Sequence, residues 1–343
     1  MTIDSTPPHS IRDDLKTLGR GLCMGAADIV PGVSGGTVAL ILGHYNRLVT
    51  ALSRLDLAAM GLLKNREFAA FARRIDLRFL AVLVVGMLTG ILSLASLMHW
   101  LLENRFSETM AVFFGLILAS SVLVGKMIPR WSIGAVFAAI LGGALAWSIS
   151  AMSPTTATLT FPYIFVAANV AICAMILPGI SGAFVLLLLG VYHPITGLLR
   201  DLAHGQWTLV GILQLLVFTT GCATGLIAFS RLLRMLLERL PSLTFAALLG
   251  LMVGSLRKLW PFQRATAETH ALELKDRVFE VVSPAVWEGS LLTILILILV
   301  SVAIVFALHW LGIRFRDRLQ KETSAVSTTE STLAASSALP PRG

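Results

Sequence analysis

The sequence predicts an all-α polytopic membrane protein arranged as an inverted repeat, each half one re-entrant Pro-Gly-x-Ser-Gly hairpin plus three transmembrane helices. Three observations predict it: the composition, a duplicated chain break and the distribution of Lys and Arg. Hydrophobic residues make up 56% of the 343, charged residues only 13%, and the mean hydropathy is +0.82. Those values exclude an ordinary soluble domain. A polar first ten residues and the absence of a small-residue cleavage site predict no cleavable signal peptide. The net charge of +8 is what basic loops of an oriented membrane protein produce, so no nucleic-acid partner is expected. Cys23, Cys173 and Cys222 stand singly in apolar stretches, which predicts three free, packed thiols and no metal site.

The chain break occurs twice, as Pro31-Gly32-Val33-Ser34-Gly35 and as Pro178-Gly179-Ile180-Ser181-Gly182. At an offset of 147, residues 31–46 and 178–193 agree at nine of sixteen positions. Proline and glycine interrupt a helix, and irregular backbone at bilayer depth survives only inside protein or beside a wet cavity. A repeated break of this kind points to a transporter's binding site. Two hinge segments follow, about 14–46 and 162–193, each with halves of about 14 to 17 residues. Six spans are expected at 79–102, 109–125, 132–150, 208–230, 242–256 and 287–311. The domain organisation read from this is a disordered N-terminus at 1–13, repeat 1 at 14–150, repeat 2 at 151–318 and a disordered Ser/Thr/Ala-rich tail at 319–343.

Basic residues decide whether the hinges cross the membrane. With both hinges as hairpins, the inside holds the N-terminus, the 47–78 loop with its seven cations, the 126–130 and 231–239 turns and the C-terminal tail, together 20 of the 27. Making the first hinge a full span would place the seven-cation loop outside, against the positive-inside rule. Both termini are then cytoplasmic. Three spans per half is an odd number, so the second half is inserted upside down. Residues 86–103 and 221–238 add a second matched block at offset 135, including Gly-x-x-x-Gly at 86–90 and 221–225. That motif lets helices approach closely, and plain helix packing is its simplest use.

The hinge composition suits an anion. Gly32, Gly35 and Gly36 bare the backbone, Ser34 and Thr37 add hydroxyls, and a helix starting near Val38 would present free N–H groups. Gly179, Ser181 and Gly182 repeat the design, while Ala183 and Phe184 replace Gly36 and Thr37. A tight turn satisfying its own backbone is the plainer alternative. Asp28, one helical turn before Pro31, is the candidate coupling residue for protons or Na+, since a carboxylate inside the bilayer is costly. It could equally brace the freed amides around Gly32 to Ser34. Arg234 could meet a head group from the cytoplasm, with Arg20, Arg47 and Arg231 as further phosphate partners; snorkelling to the interface is the ordinary role of each. Asn169, Gln214 and His99 fit packing or interfacial positions.

The paired motif, in a chain of this size and hydropathy, resembles the bacterial polyprenyl-phosphate transporter family PopT, from about residue 15 to 315. The resemblance implies an inner-membrane translocase that returns undecaprenyl phosphate, the lipid carrier of cell-wall precursors, to the cytoplasmic leaflet. It implies no enzyme activity, no catalytic residues, no metal and no cofactor. Substrate-binding residues would be Pro31, Gly32, Ser34, Gly35, Gly36, Thr37, Pro178, Gly179, Ser181, Gly182 and Arg234. Two rivals remain. Undecaprenyl-pyrophosphate phosphatases carry a similar Pro-Gly-x-Ser followed by arginine, but here Gly35 and Gly182 stand in that place, leaving phosphoryl transfer without its charge clamp. An ion-coupled transporter of a small organic anion is the other.

Overall fold

Breaks in the helical chain fall where the sequence carries Pro, Gly and capping side chains, and these set the element order. The computed structural model describes residues 11–29, 34–152, 158–206, 208–267, 269, 277, 279–287, 289–307 and 309–310. Pro31, Gly32 and the tail expected at 319–343 lie outside them. The first hinge comprises α1 (Ile11–Asp28), α2 (Gly35–Ile41) and α3 (Tyr45–Ser53). Two short helices, α4 (Leu57–Lys64) and α5 (Phe68–Arg74), precede three long ones: α6 (Leu77–Asn104), α7 (Phe106–Lys126) and α8 (Ile133–Ala151).

The same order then recurs without the two short helices. It runs α9 (Phe161–Ile176), α10 (Gly182–Leu188), α11 (Tyr192–Ala203), α12 (Leu209–Arg239) and α13 (Pro241–Ser255), ending in α14 (Leu291–Ala307). Among the described residues four helices, α6, α7, α8 and α12, are long and apolar enough to cross a bilayer. The expected spans at 242–256 and 287–311 correspond to the shorter apolar helices α13 and α14. Side chains such as Leu92, Ile133, Phe137 and Leu292 are exposed on these helices, as a lipid-facing surface requires.

Three differences from expectation have local causes. The returning half of each hinge is seven residues long, because Gly43 (φ 72°) and Gly190 (φ 67°) adopt the left-handed conformation and close the helix. His44 N–H then reaches Ala39 O, and Val191 N–H reaches Leu186 O, in matching fashion. α10 and α11 consequently meet at 107°. Second, α12 continues to Arg239, since nothing between residues 230 and 239 breaks a helix before Pro241 starts α13. Third, the loop after α13 contains a two-stranded antiparallel pair, β1 (Gln263–Ala265) with β2 (Phe279–Val281), in a chain expected to be wholly helical.

Small residues set the helix contacts. Gly86 and Gly90 of α6 lie against the backbone of Leu18 and Leu22 on α1, while Gly221 and Gly225 of α12 lie against Phe165 and Asn169 on α9. A Cβ at any of these would collide with the neighbouring helix, so both Gly-x-x-x-Gly motifs serve close packing. Gly250 and Gly254 of α13 approach Ala139 and Gly143 of α8 in the same way, and Gly115 of α7 approaches Ile298 of α14. The basic 47–78 segment is ordered by ion pairs: Arg47 with Asp76 at 2.7 Å, and Arg78 with Asp14. Cys173 and Cys222 are partly buried, but Cys23 is exposed on α1, contrary to the expectation of packing.

Candidate functional site

Where α9 stops at Ile176, the carbonyls of Met175, Ile176 and Leu177 are left without helical partners, because the chain turns at Pro178 and no following turn of helix supplies their N–H groups. The first hinge supplies donors for them. The Ser34 hydroxyl lies 3.3 Å from both Met175 O and Leu177 O, and Tyr45 donates its hydroxyl to Ile176 O at 3.1 Å. In return Gly179 donates its N–H to Thr37 Oγ1 at 2.8 Å. Gly36 seats directly on this strip, since a Cβ there would stand 2.6 Å from Ile176 O. The two breaks therefore interlock, with Ser34, Thr37, Ala39 and Tyr45 almost wholly buried.

The N–H groups expected to be free at the first hinge are occupied. α2 begins at Gly35 rather than near Val38, capped by Ser34, whose Oγ accepts from Gly36 N at 3.1 Å. Thr37 and Val38 donate to Ser34 O. Gly35 donates to Asp28 Oδ1 at 2.6 Å, so Asp28 braces the hinge at Gly35, just beyond the Gly32 to Ser34 amides named as its alternative partners. A Cβ on Gly35 would meet that carboxylate at 2.8 Å. The need for glycine at 35 is accordingly set by Asp28 and not by an open approach path.

The second hinge lacks this internal anion, because Met175 stands where Asp28 would be. Ser181 caps α10 by accepting from Phe184 N at 3.4 Å. Gly182 packs against Ala171 O and Met175 Cβ of α9, and Gly179 (φ 90°) against Leu251 of α13. The break is thus wedged between α9 and α13.

The predicted basic partners are mostly engaged elsewhere. Arg234 pairs with Glu238 at 2.7 Å and approaches Ser53 Oγ at 3.5 Å, at the end of α3. Arg231 donates to the carbonyls of Ser53 and Leu55, and Arg47 to Asp76. His99 and Glu103 repeat the Arg234–Glu238 spacing at 3.4 Å. A cation that does stand at the second hinge is Lys258, whose Nζ lies 4.5 Å from the centre of the Phe184 ring. Burial pushes its ammonium below the usual lysine range. Arg257 covers Trp147 of α8 at 4.7 Å. In the sequence these two read as ordinary loop cations among nearby acids; only the turn after α13 brings them to aromatic rings. Among the described residues no cluster of His, Cys, Asp or Glu could hold a metal ion.

Fold and site together define a polytopic helical membrane protein with two paired, interlocked chain breaks. The chain belongs to the family described as undecaprenyl phosphate translocase-like, which matches residues 24–274. It is 37% identical over 307 residues to a polyprenyl-phosphate transporter of Vibrio cholerae, covering 86% of this chain and 96% of that one. A polyprenyl-phosphate transporter of Staphylococcus aureus is 32% identical over 254 residues, covering 71% of this chain and 84% of its own. No solved structure matches.

Proposed function

We infer that this protein is a polyprenyl-phosphate translocase that returns the undecaprenyl phosphate carrier across the bacterial cytoplasmic membrane, not an enzyme acting on that lipid. Family membership and the two named relatives support the substrate. The observation that carries the mechanism is the hinge interlock, in which Ser34, Thr37 and Tyr45 of one break satisfy the backbone of the other. Two inverted halves, 14–150 and 151–318, rock about this crossing with both termini cytoplasmic, so that the site faces each leaflet in turn. The matching element order and the equivalent left-handed glycines 43 and 190 support that repeat.

The phosphate head passes at the hinges while the prenyl tail stays in the lipid. Pro31, Gly32, Ser34, Gly35, Gly36 and Thr37 on one side and Pro178, Gly179, Ser181 and Gly182 on the other form its binding surface. Asp28 already occupies Gly35 N–H as an internal anion, so an incoming phosphate at the first hinge displaces it. A proton taken up by Asp28 at that moment removes the repulsion, which makes Asp28 the coupling group. Arg234 has a lesser role, at the entrance near α3, because Glu238 already neutralises it.

The experiment is reconstitution in liposomes with labelled undecaprenyl phosphate, following the accessibility of its head group to an external reagent over time. Exchange between leaflets well above that of protein-free vesicles is expected, with no phosphate released from undecaprenyl pyrophosphate. Release without exchange would make the protein a phosphatase.

A further inference from the structure

The turn after α13 does something that hinge packing does not explain. Ser255 to Trp260 continue the helix end as tight turns, with Lys258 N–H on Ser255 O and Trp260 N–H on Arg257 O. This sets two consecutive cations on different aromatic rings, Arg257 on Trp147 and Lys258 on Phe184. Among the described residues neither has a carboxylate within ion-pairing distance. Beside Arg257 lies a cavity of about 450 Å³ walled by Phe114, Trp147, Val253, Leu256 and Trp260, with Arg257 at its edge and Lys258 next to it in the chain. The buried indole N–H of Trp260 has no acceptor among the described residues.

Half-buried cations with no carboxylate in reach among the described residues are costly unless an anion visits them. An inorganic anion would make no use of the apolar wall, and a neutral lipid none of the two cations. An amphiphile bearing both a phosphate and a hydrocarbon chain uses all of it. Phe184, under Lys258, is the residue of the second hinge that replaces Thr37, so an anion held here stands next to that hinge.

We propose that the Arg257–Lys258 turn and the adjoining cavity form a docking site for a prenyl phosphate monoester, with Arg257 and Lys258 on the phosphate and Phe114, Trp147, Val253 and Leu256 against the first prenyl units. The proposal rests on the transport reading and adds to it the station from which the lipid enters the second hinge. Because Lys258 binds the anion as ammonium, and burial lowers its proton affinity, docking weakens as pH rises into the alkaline range.

Farnesyl phosphate, a short soluble analogue, serves as the probe for the purified full-length protein in detergent. The Arg257→Gln, Lys258→Gln double variant is expected to lose at least about tenfold in affinity, as removal of charged hydrogen-bond partners implies, while Arg257→Lys with Lys258→Arg retains binding. Val253→Trp keeps both charges but fills the cavity, and is expected to weaken farnesyl phosphate as well. Unchanged affinity in the double variant and in Val253→Trp would overturn the site. Competition by inorganic phosphate at the concentration where farnesyl phosphate binds would also overturn it, since the tail would then contribute nothing. Liposome exchange separates the two claims. Normal exchange by the double variant with an unchanged half-saturating lipid concentration removes this site and leaves the transporter. No exchange by the wild type removes the transporter, while farnesyl phosphate binding still judges the site.

Discussion

Gly36 and Thr37 carry the hinge crossing at the scale of single residues. A Cβ at position 36 meets the backbone of Ile176, which cannot swing aside. Gly36→Ala is therefore expected to lower the melting temperature in detergent markedly, whereas Gly61→Ala, with nothing within 4 Å, is neutral or slightly stabilising by about 1 kcal/mol from helix propensity. Equal shifts for the two would refute the close approach. Thr37→Val leaves Gly179 N–H without its acceptor, costing about 1–3 kcal/mol, while Thr37→Ser keeps it; thermal denaturation of the three proteins checks this. The duplicated motif named Ser34, Thr37, Gly179 and Ser181 from sequence alone. What it concealed was their partners. Ser34 and Thr37 read as ligands for a guest, yet the acceptors of the Ser34 hydroxyl and the donor to Thr37 Oγ1 are on the other hinge, 141 to 143 residues away. Lys258 was hidden for the same reason, since its meaning comes from Phe184.

The long helices were legible because uninterrupted apolar runs need little tertiary information, and α6, α7 and α8 begin and end within three residues of expectation. The returning halves of the hinges were not, because Gly43 and Gly190 act through backbone conformation, which composition does not reveal. Nor was the helical content of the 47–78 segment, where ion pairs and caps do the ordering. Asp56 caps α4 through Ala59 N–H at 2.8 Å, and its hydrogen bond to Arg74 holds its carboxyl below the usual range. A lowered carboxyl pKa stabilises above the unfolded value of about 4 and is lost as pH falls through the folded value. Hydrogen exchange over residues 57–74 is thus expected to rise on acidification below about pH 4, and to be already raised and less pH-sensitive in Asp56→Asn.

Topology is also tested on elements. In a variant without Cys23, Cys173 and Cys222, a cysteine at Asn65 is expected to react only with reagents that enter the cytoplasm, and one at Gln206 with impermeant reagents from outside. Both positions are exposed. Labelling from the same side at both would contradict the inverted arrangement.

For the whole molecule, helices far apart in sequence pack together as the two hinges do. α8 packs on α13, and α7 on α14, which are the helices the proposed repeat would pair across its two halves. In the proposed rocking cycle, movement of one half would be felt at Ser34, Thr37 and Tyr45, where the two breaks hold each other. In the proposed transport cycle, this crossing has to loosen for a head group to pass. The direct measurement is leaflet exchange of labelled undecaprenyl phosphate by a cysteine pair at Ser34 and Leu177 in the variant without native cysteines, the two positions being in contact at 3.3 Å. With the bridge verified by mass spectrometry, oxidised protein is expected to exchange lipid no faster than protein-free vesicles, and reduction to restore the rate. Full exchange by the bridged protein would contradict passage at the hinges.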